Sequence, residues 1–113
     1  MSLRTTSIAF LTGILFAIPG RGADPEFTVV IRNHRFEPAQ IQVPAGRKIR
    51  IVIDNQDSGP EEFESYALNR EKHIGPSSRV TIFLGPLEPG RYLFEGESKT
   101  RGGEPALGVI EAH

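Results

Sequence analysis

Cysteine and tryptophan are both missing from the 113 residues, and methionine occurs only as Met1. Without cysteine no disulfide can brace the chain, whatever the redox state around it. A thiolate-ligated copper centre of the blue, type-1 kind is excluded on the same ground. A surplus of positive charge is missing too: 13 Lys and Arg face 14 Asp and Glu, which argues against nucleic acid as a partner. No Ser/His/Asp or Cys/His set offers itself for nucleophilic catalysis. Paired carboxylates could serve glycoside hydrolysis, but with no Trp and two Tyr there is no aromatic platform for a sugar. An enzyme is therefore not expected. Long apolar runs are scarce as well. The one that exists, Ile8 to Ile18, falls short of the roughly 20 residues a membrane-spanning helix needs.

That run has the marks of a secretory signal peptide. Arg4 supplies the positive start, Ile8 to Ile18 the apolar centre, and Pro19-Gly20-Arg21-Gly22-Ala23 the small residues of a cleavage site. We expect residues 1–22 to be the leader, cut after Gly22, and residues 23–113 to form one small exported domain, soluble and monomeric. Removing Arg4 and Arg21 leaves the mature chain with a net charge of about −3.

Within the mature chain the apolar residues recur at a spacing of two. Phe27, Val29 and Ile31 form one such set, Ile41 and Val43 a second, and Ile49, Ile51 and Ile53 a third. The pattern returns at Val80, Ile82 and Leu84, at Tyr92 and Phe94, and at Leu107 and Val109. Each set reads as a strand with one buried face. Turn residues separate them at Pro44-Ala45-Gly46, Asp57-Ser58-Gly59-Pro60, Gly75-Pro76, Gly85-Pro86 and Pro89-Gly90. Seven or so short strands and no helical period predict an all-β, Greek-key antiparallel β-sandwich. Only Ser65 to Ile74, where Leu68-Asn69-Arg70-Glu71-Lys72 breaks the alternation, is expected to be irregular or to make a helical turn.

Chemistry gathers in Pro60-Glu61-Glu62-Phe63-Glu64-Ser65, where three carboxylates surround one aromatic residue. Together on a small surface they would repel one another, which raises their pKa values or recruits a cation. This segment belongs to a longer pattern: His34-Arg35-Phe36-Glu37-Pro38-Ala39-Gln40-Ile41-Gln42-Val43-Pro44-Ala45-Gly46, then Asn55-x-Asp57, Glu61-Glu62-Phe63-Glu64-Ser65, Leu68-Asn69-Arg70-Glu71-Lys72, Gly85-Pro86-Leu87 and Pro89-Gly90-x-Tyr92-x-Phe94. The whole closely resembles the small periplasmic cupredoxin-like proteins of bacterial iron-uptake systems.

The resemblance implies a periplasmic cupredoxin fold that binds copper or iron and assists the oxidation or transfer of iron. Its implied partners are a periplasmic iron-binding protein and a membrane iron permease. Matching Asn55 through Phe63 to ordinary cupredoxins puts Glu61 at the position of the first histidine ligand, and Glu61 shares the face of Phe63. Comparison with the Glu-aromatic-Glu of iron-uptake lipoproteins favours Glu62. Both stay candidates. By the Y-x-F-x-C pattern, Gly96 stands where blue-copper proteins have cysteine, and Ala106 where they have methionine. Glu97 is kept in the following loop, while Lys99 replaces the histidine that relatives tend to carry. His34 could supply the missing nitrogen. The implied metal set is thus Glu62, Glu97, Glu61 and His34, without type-1 copper.

Two plainer readings compete. The carboxylates can be solvated charges guarding an edge strand, or can be neutralised by Arg70, Lys72 or Arg101 as ordinary ion pairs. In either case the domain would serve as a metal-free docking module for a periplasmic or membrane partner. His73 and His113 have no ligand role in the sequence pattern.

Overall fold

The computed structural model describes residues 23–97 and 103–113. The proposed leader, together with Lys99 and Arg101, lies outside the described residues. Nine strands follow in order: β1 (Glu26–Arg32), β2 (Arg35–Glu37), β3 (Gln40–Val43), β4 (Ile49–Asn55), β5 (Glu61–Ser65), β6 (Arg70–Ile74), β7 (Arg79–Leu84), β8 (Gly90–Gly96) and β9 (Ala106–Ala112). No helix occurs among the described residues.

The strands form a four-stranded sheet in the order β2-β1-β4-β7 and a five-stranded sheet in the order β3-β9-β8-β5-β6. The expected all-β sandwich is present. Its pairing is mixed, however, because β1 runs parallel to β4 and β3 parallel to β9. Spacing within a strand says which face is buried but nothing about the direction of a distant neighbour, so the parallel pairs lay outside the sequence pattern. A second correction concerns Arg70–Ile74, which is a strand and not an irregular excursion. As the edge of its sheet it has one partner and exposes four of its five residues, so no alternation of polarity marks it.

Inward faces of the two sheets interdigitate as the alternation requires. Val29, Ile31, Ile51, Ile53 and Ile82 from one sheet meet Ile41, Phe63, Phe94 and Ile110 from the other. Phe94 stands edge-on to Phe36, centroids 4.8 Å apart at 83°, and lies 4.9 Å from Phe63. Its ring lies over Gly108, where an added Cβ would come within 2.2 Å of it. This aromatic cluster packs beneath the end of the sandwich where β1 turns into β2 and the chain enters β5.

Candidate metal centre

A two-residue turn joins β1 to β2, with Arg32 and Arg35 paired across it. Both turn residues have positive φ, 53° at Asn33 and 58° at His34. Such a turn matches the twist of the hairpin, and asparagine suits its first position; a histidine at the second is uncommon. The strained backbone is held from outside by Asp57, whose Oδ1 accepts the N–H of Asn33 at 2.7 Å and whose Oδ2 accepts that of His34 at 2.9 Å.

Asp57 is fixed in turn by the fully buried Asn55 at the end of β4. The Asn55 side-chain oxygen accepts the N–H of Asp57 at 2.9 Å. Its amide donates to the carbonyls of Gly59, Ile74 and Gly75 at 3.0, 3.2 and 2.9 Å. One buried amide thereby ties the loop before β5 to the end of β6, and the loop in turn positions His34.

The His34 ring reaches Glu61: Nδ1 lies 2.8 Å from Oε1 of a carboxyl that is almost fully buried. With Glu61 ionised, Nδ1–H donates and the lone pair is left on Nε2. That nitrogen is buried and has no hydrogen-bond partner among the described residues. His34 also lines a groove with Phe36, Glu104, Ala106 and Leu107. A carboxylate-oriented imidazole presenting its other nitrogen is the arrangement in which histidine ligates metals.

The two carboxyls beside the histidine are driven apart. Burial pushes Glu61 up; the His34 hydrogen bond pulls it down, and hydrogen bonding and charge from Asp57 raise it again, leaving it above its ordinary value. For Asp57 burial also acts upward, but the N–H groups of His34 and Asn33, followed by Glu61 and the His34 charge, hold the carboxyl below its ordinary value. Asp57 is thus the readily ionised acid and Glu61 the one that keeps its proton longer.

Strand alternation sends Glu62 to the opposite face of β5 from Glu61. There Glu62 lies 3.0 Å from Nδ1 of His73, its cross-strand partner on β6. The ligand atoms of Glu62, Glu71 and His73 all lie within 4.8 Å of one another. Glu97 is exposed just beyond β8. Of the four candidates from sequence, the structure joins His34 to Glu61 and groups Glu62 with Glu71 and His73, a group that does not include Glu97.

Three further residues escaped the sequence pattern. Asn55 and Asp57 looked like turn residues, and their link to His34 spans more than 20 positions. Glu71 was hidden because β6 was not recognised as a strand; its i, i+2 spacing from His73 was the available signal.

Position 96 closes the question of a thiolate. A Cβ on Gly96 would stand 2.9 Å from the Glu62 carbonyl oxygen and 3.2 Å from the Phe36 ring, so no side chain fits without moving β5. Nitrogen and oxygen are the donors this end of the sandwich offers, and they suit Cu(II) and iron better than Cu(I).

The model of the cupredoxin-like domain matches residues 5–104. An uncharacterized protein of Rickettsia prowazekii (strain Madrid E) is 36% identical over 96 residues, which is 80% of this chain and 77% of that one. Among solved structures, the metal-binding domain of the Cu(I)-exporting P-type ATPase CopA of Streptococcus pneumoniae D39, with Cu(I), superposes with a TM-score of 0.66 at 19% identity, over 78% of this chain and 84% of that one. Reduced auracyanin from Roseiflexus castenholzii gives 0.62 at 17% identity, over 81% and 99%. At these identities the structural likeness is one of fold.

Proposed function

The chain belongs to the cupredoxin-like domain family, and from that premise we propose that it is a non-blue metal-binding cupredoxin working in iron uptake. In this reading it is exported to the periplasm, binds copper or iron at the loop end of the sandwich, and passes the ion to, or helps oxidise iron for, an iron-binding protein and a membrane permease. His34 is the nitrogen ligand, Glu61 fixes its ring, and Glu97 is available as an oxygen ligand from the next loop. The observation that carries the proposal is the buried Nε2 of His34, without a hydrogen-bond partner among the described residues, on a ring whose other nitrogen is held by a carboxylate. The bound ion would supply charge and a change of oxidation state; the chain supplies the holding groups.

Equilibrium dialysis of the purified protein against Cu(II), Fe(II) and Fe(III), beside His34→Gln and Glu61→Gln, tests this. A binding class lost in His34→Gln and weakened about 10–100-fold in Glu61→Gln supports it. Equal binding by the wild type and His34→Gln refutes it.

A docking role has its own support. Tyr66, Leu93 and Leu107 stand exposed along a groove bordered by Glu64, Arg91 and Glu95 on the outer face of the five-stranded sheet. If that face carries the function, Leu93→Lys with Leu107→Lys abolishes the protein's effect on iron uptake while metal binding is kept.

A further inference from the structure

We propose that Glu62, Glu71 and His73 form a separate site for a divalent first-row cation, one that clips the edge strand β6 to β5. The ladder creates this juxtaposition. Glu62 sits opposite His73, and Glu71, two residues before His73, opposes Glu64 on the same face. One imidazole nitrogen and two carboxylates therefore converge from adjacent strands, their ligand atoms within 4.8 Å of one another. The groups need little movement to close on an ion. Ligands at about 2.0–2.1 Å from a tetrahedral zinc ion stand roughly 3.3 Å from each other. Glu62 Oε2 and His73 Nδ1 are already 3.0 Å apart.

The three ligands differ in a useful way. The Glu62 side chain is nearly fully buried and anchors the site, whereas the His73 side chain is 71% exposed, so an ion can enter from solvent. Charge on this face also favours a cation. Glu64 lies directly opposite both Glu71 and Glu95, and like charges so placed repel. Among the described residues the nearby basic groups are engaged elsewhere: Arg70 donates to the carbonyls of Leu68, Asn69 and Phe83, Arg91 pairs with Glu111, and alternation turns Lys72 to the other face. One nitrogen and two oxygens suit Zn(II), Cu(II) or Fe(II) and are too hard for Cu(I). The site shares no ligand with the His34–Glu61 pair and stands or falls independently of it.

Zinc titration calorimetry and thermal unfolding of the full chain, beside Glu71→Gln, His73→Gln and His34→Gln, test the proposal. Expected is a zinc-binding event, with a raised unfolding midpoint, that Glu71→Gln and His73→Gln each weaken by at least about tenfold and His34→Gln retains. Glu71 and His73 are exposed, so these variants keep the fold, which zinc-free unfolding curves check. No zinc binding by the wild type, or equal binding by Glu71→Gln, overturns the proposal and leaves the cluster without an ion. Loss of this event in His34→Gln overturns its separateness.

Discussion

Asp57 touches no candidate ligand atom of the His34 ring, yet it holds that residue's backbone. Its two oxygens serve two N–H groups; an asparagine can accept only one and must set its own NH2 against the other. Asp57→Asn should cost about 1.5–3 kcal/mol at neutral pH, measured by urea unfolding, since hydrogen bonds to charged groups are worth that much. The pH dependence has opposite signs at the two carboxyls. The folded-state pKa of Asp57 is lowered, so its contribution is present above the ordinary value of 3.8 and is lost as pH falls through the folded one. That of Glu61 is raised, so its contribution is present below 4.5 and is lost as pH rises through the folded value. Unfolding midpoints from pH 3 to 8 should show the wild type's advantage over Asp57→Asn shrinking at the acid end. They should also show Glu61→Gln gaining on the wild type above pH 4.5. At this scale the sequence exposed the identities of His34, Glu61 and Glu62, and alternation correctly gave Glu61 the face of Phe63. The Asp57 and Asn55 bonds were hidden because they join residues that only the finished sandwich brings together.

The strands explain why the usual copper thiolate cannot simply be restored. Gly96 ends β8 under the Glu62 carbonyl and against Phe36, so Gly96→Cys has to push β5 aside. Overpacking of this kind costs about 1–3 kcal/mol. The variant should unfold at lower urea and should not turn blue with Cu(II), as absorption spectroscopy would show. Gly108→Ala should be worse, because the Phe94 ring already occupies the space a Cβ would need. Elements with one clean buried face, such as β1 and β7, were legible from their spacing of two, as was β4, which also buries Val52 on its other side. The edge strand β6 was not: Arg70-Glu71-Lys72-His73 is exposed along its whole run, and its strand character comes from pairing with β5.

For the molecule as a whole, absent residues are as consequential as present ones. No disulfide can form, so dithiothreitol should leave the metal-free protein's unfolding midpoint unchanged, which calorimetry in both conditions can check. The sandwich was legible in the sequence, but its parallel pairs were not, since nothing local records them. Those pairs also constrain when the protein can assemble. The last strand, β9, lies between β3 and β8. Until the chain has been made through Ala112, the five-stranded sheet lacks one of its three interior strands and β3 has no neighbour within it. An emerging chain therefore stays unlatched until β9 has been made, and folding must await long-range closure, the slow kind of topology. Under the export proposed above, such a latch leaves the chain time to pass a translocation pore before it closes.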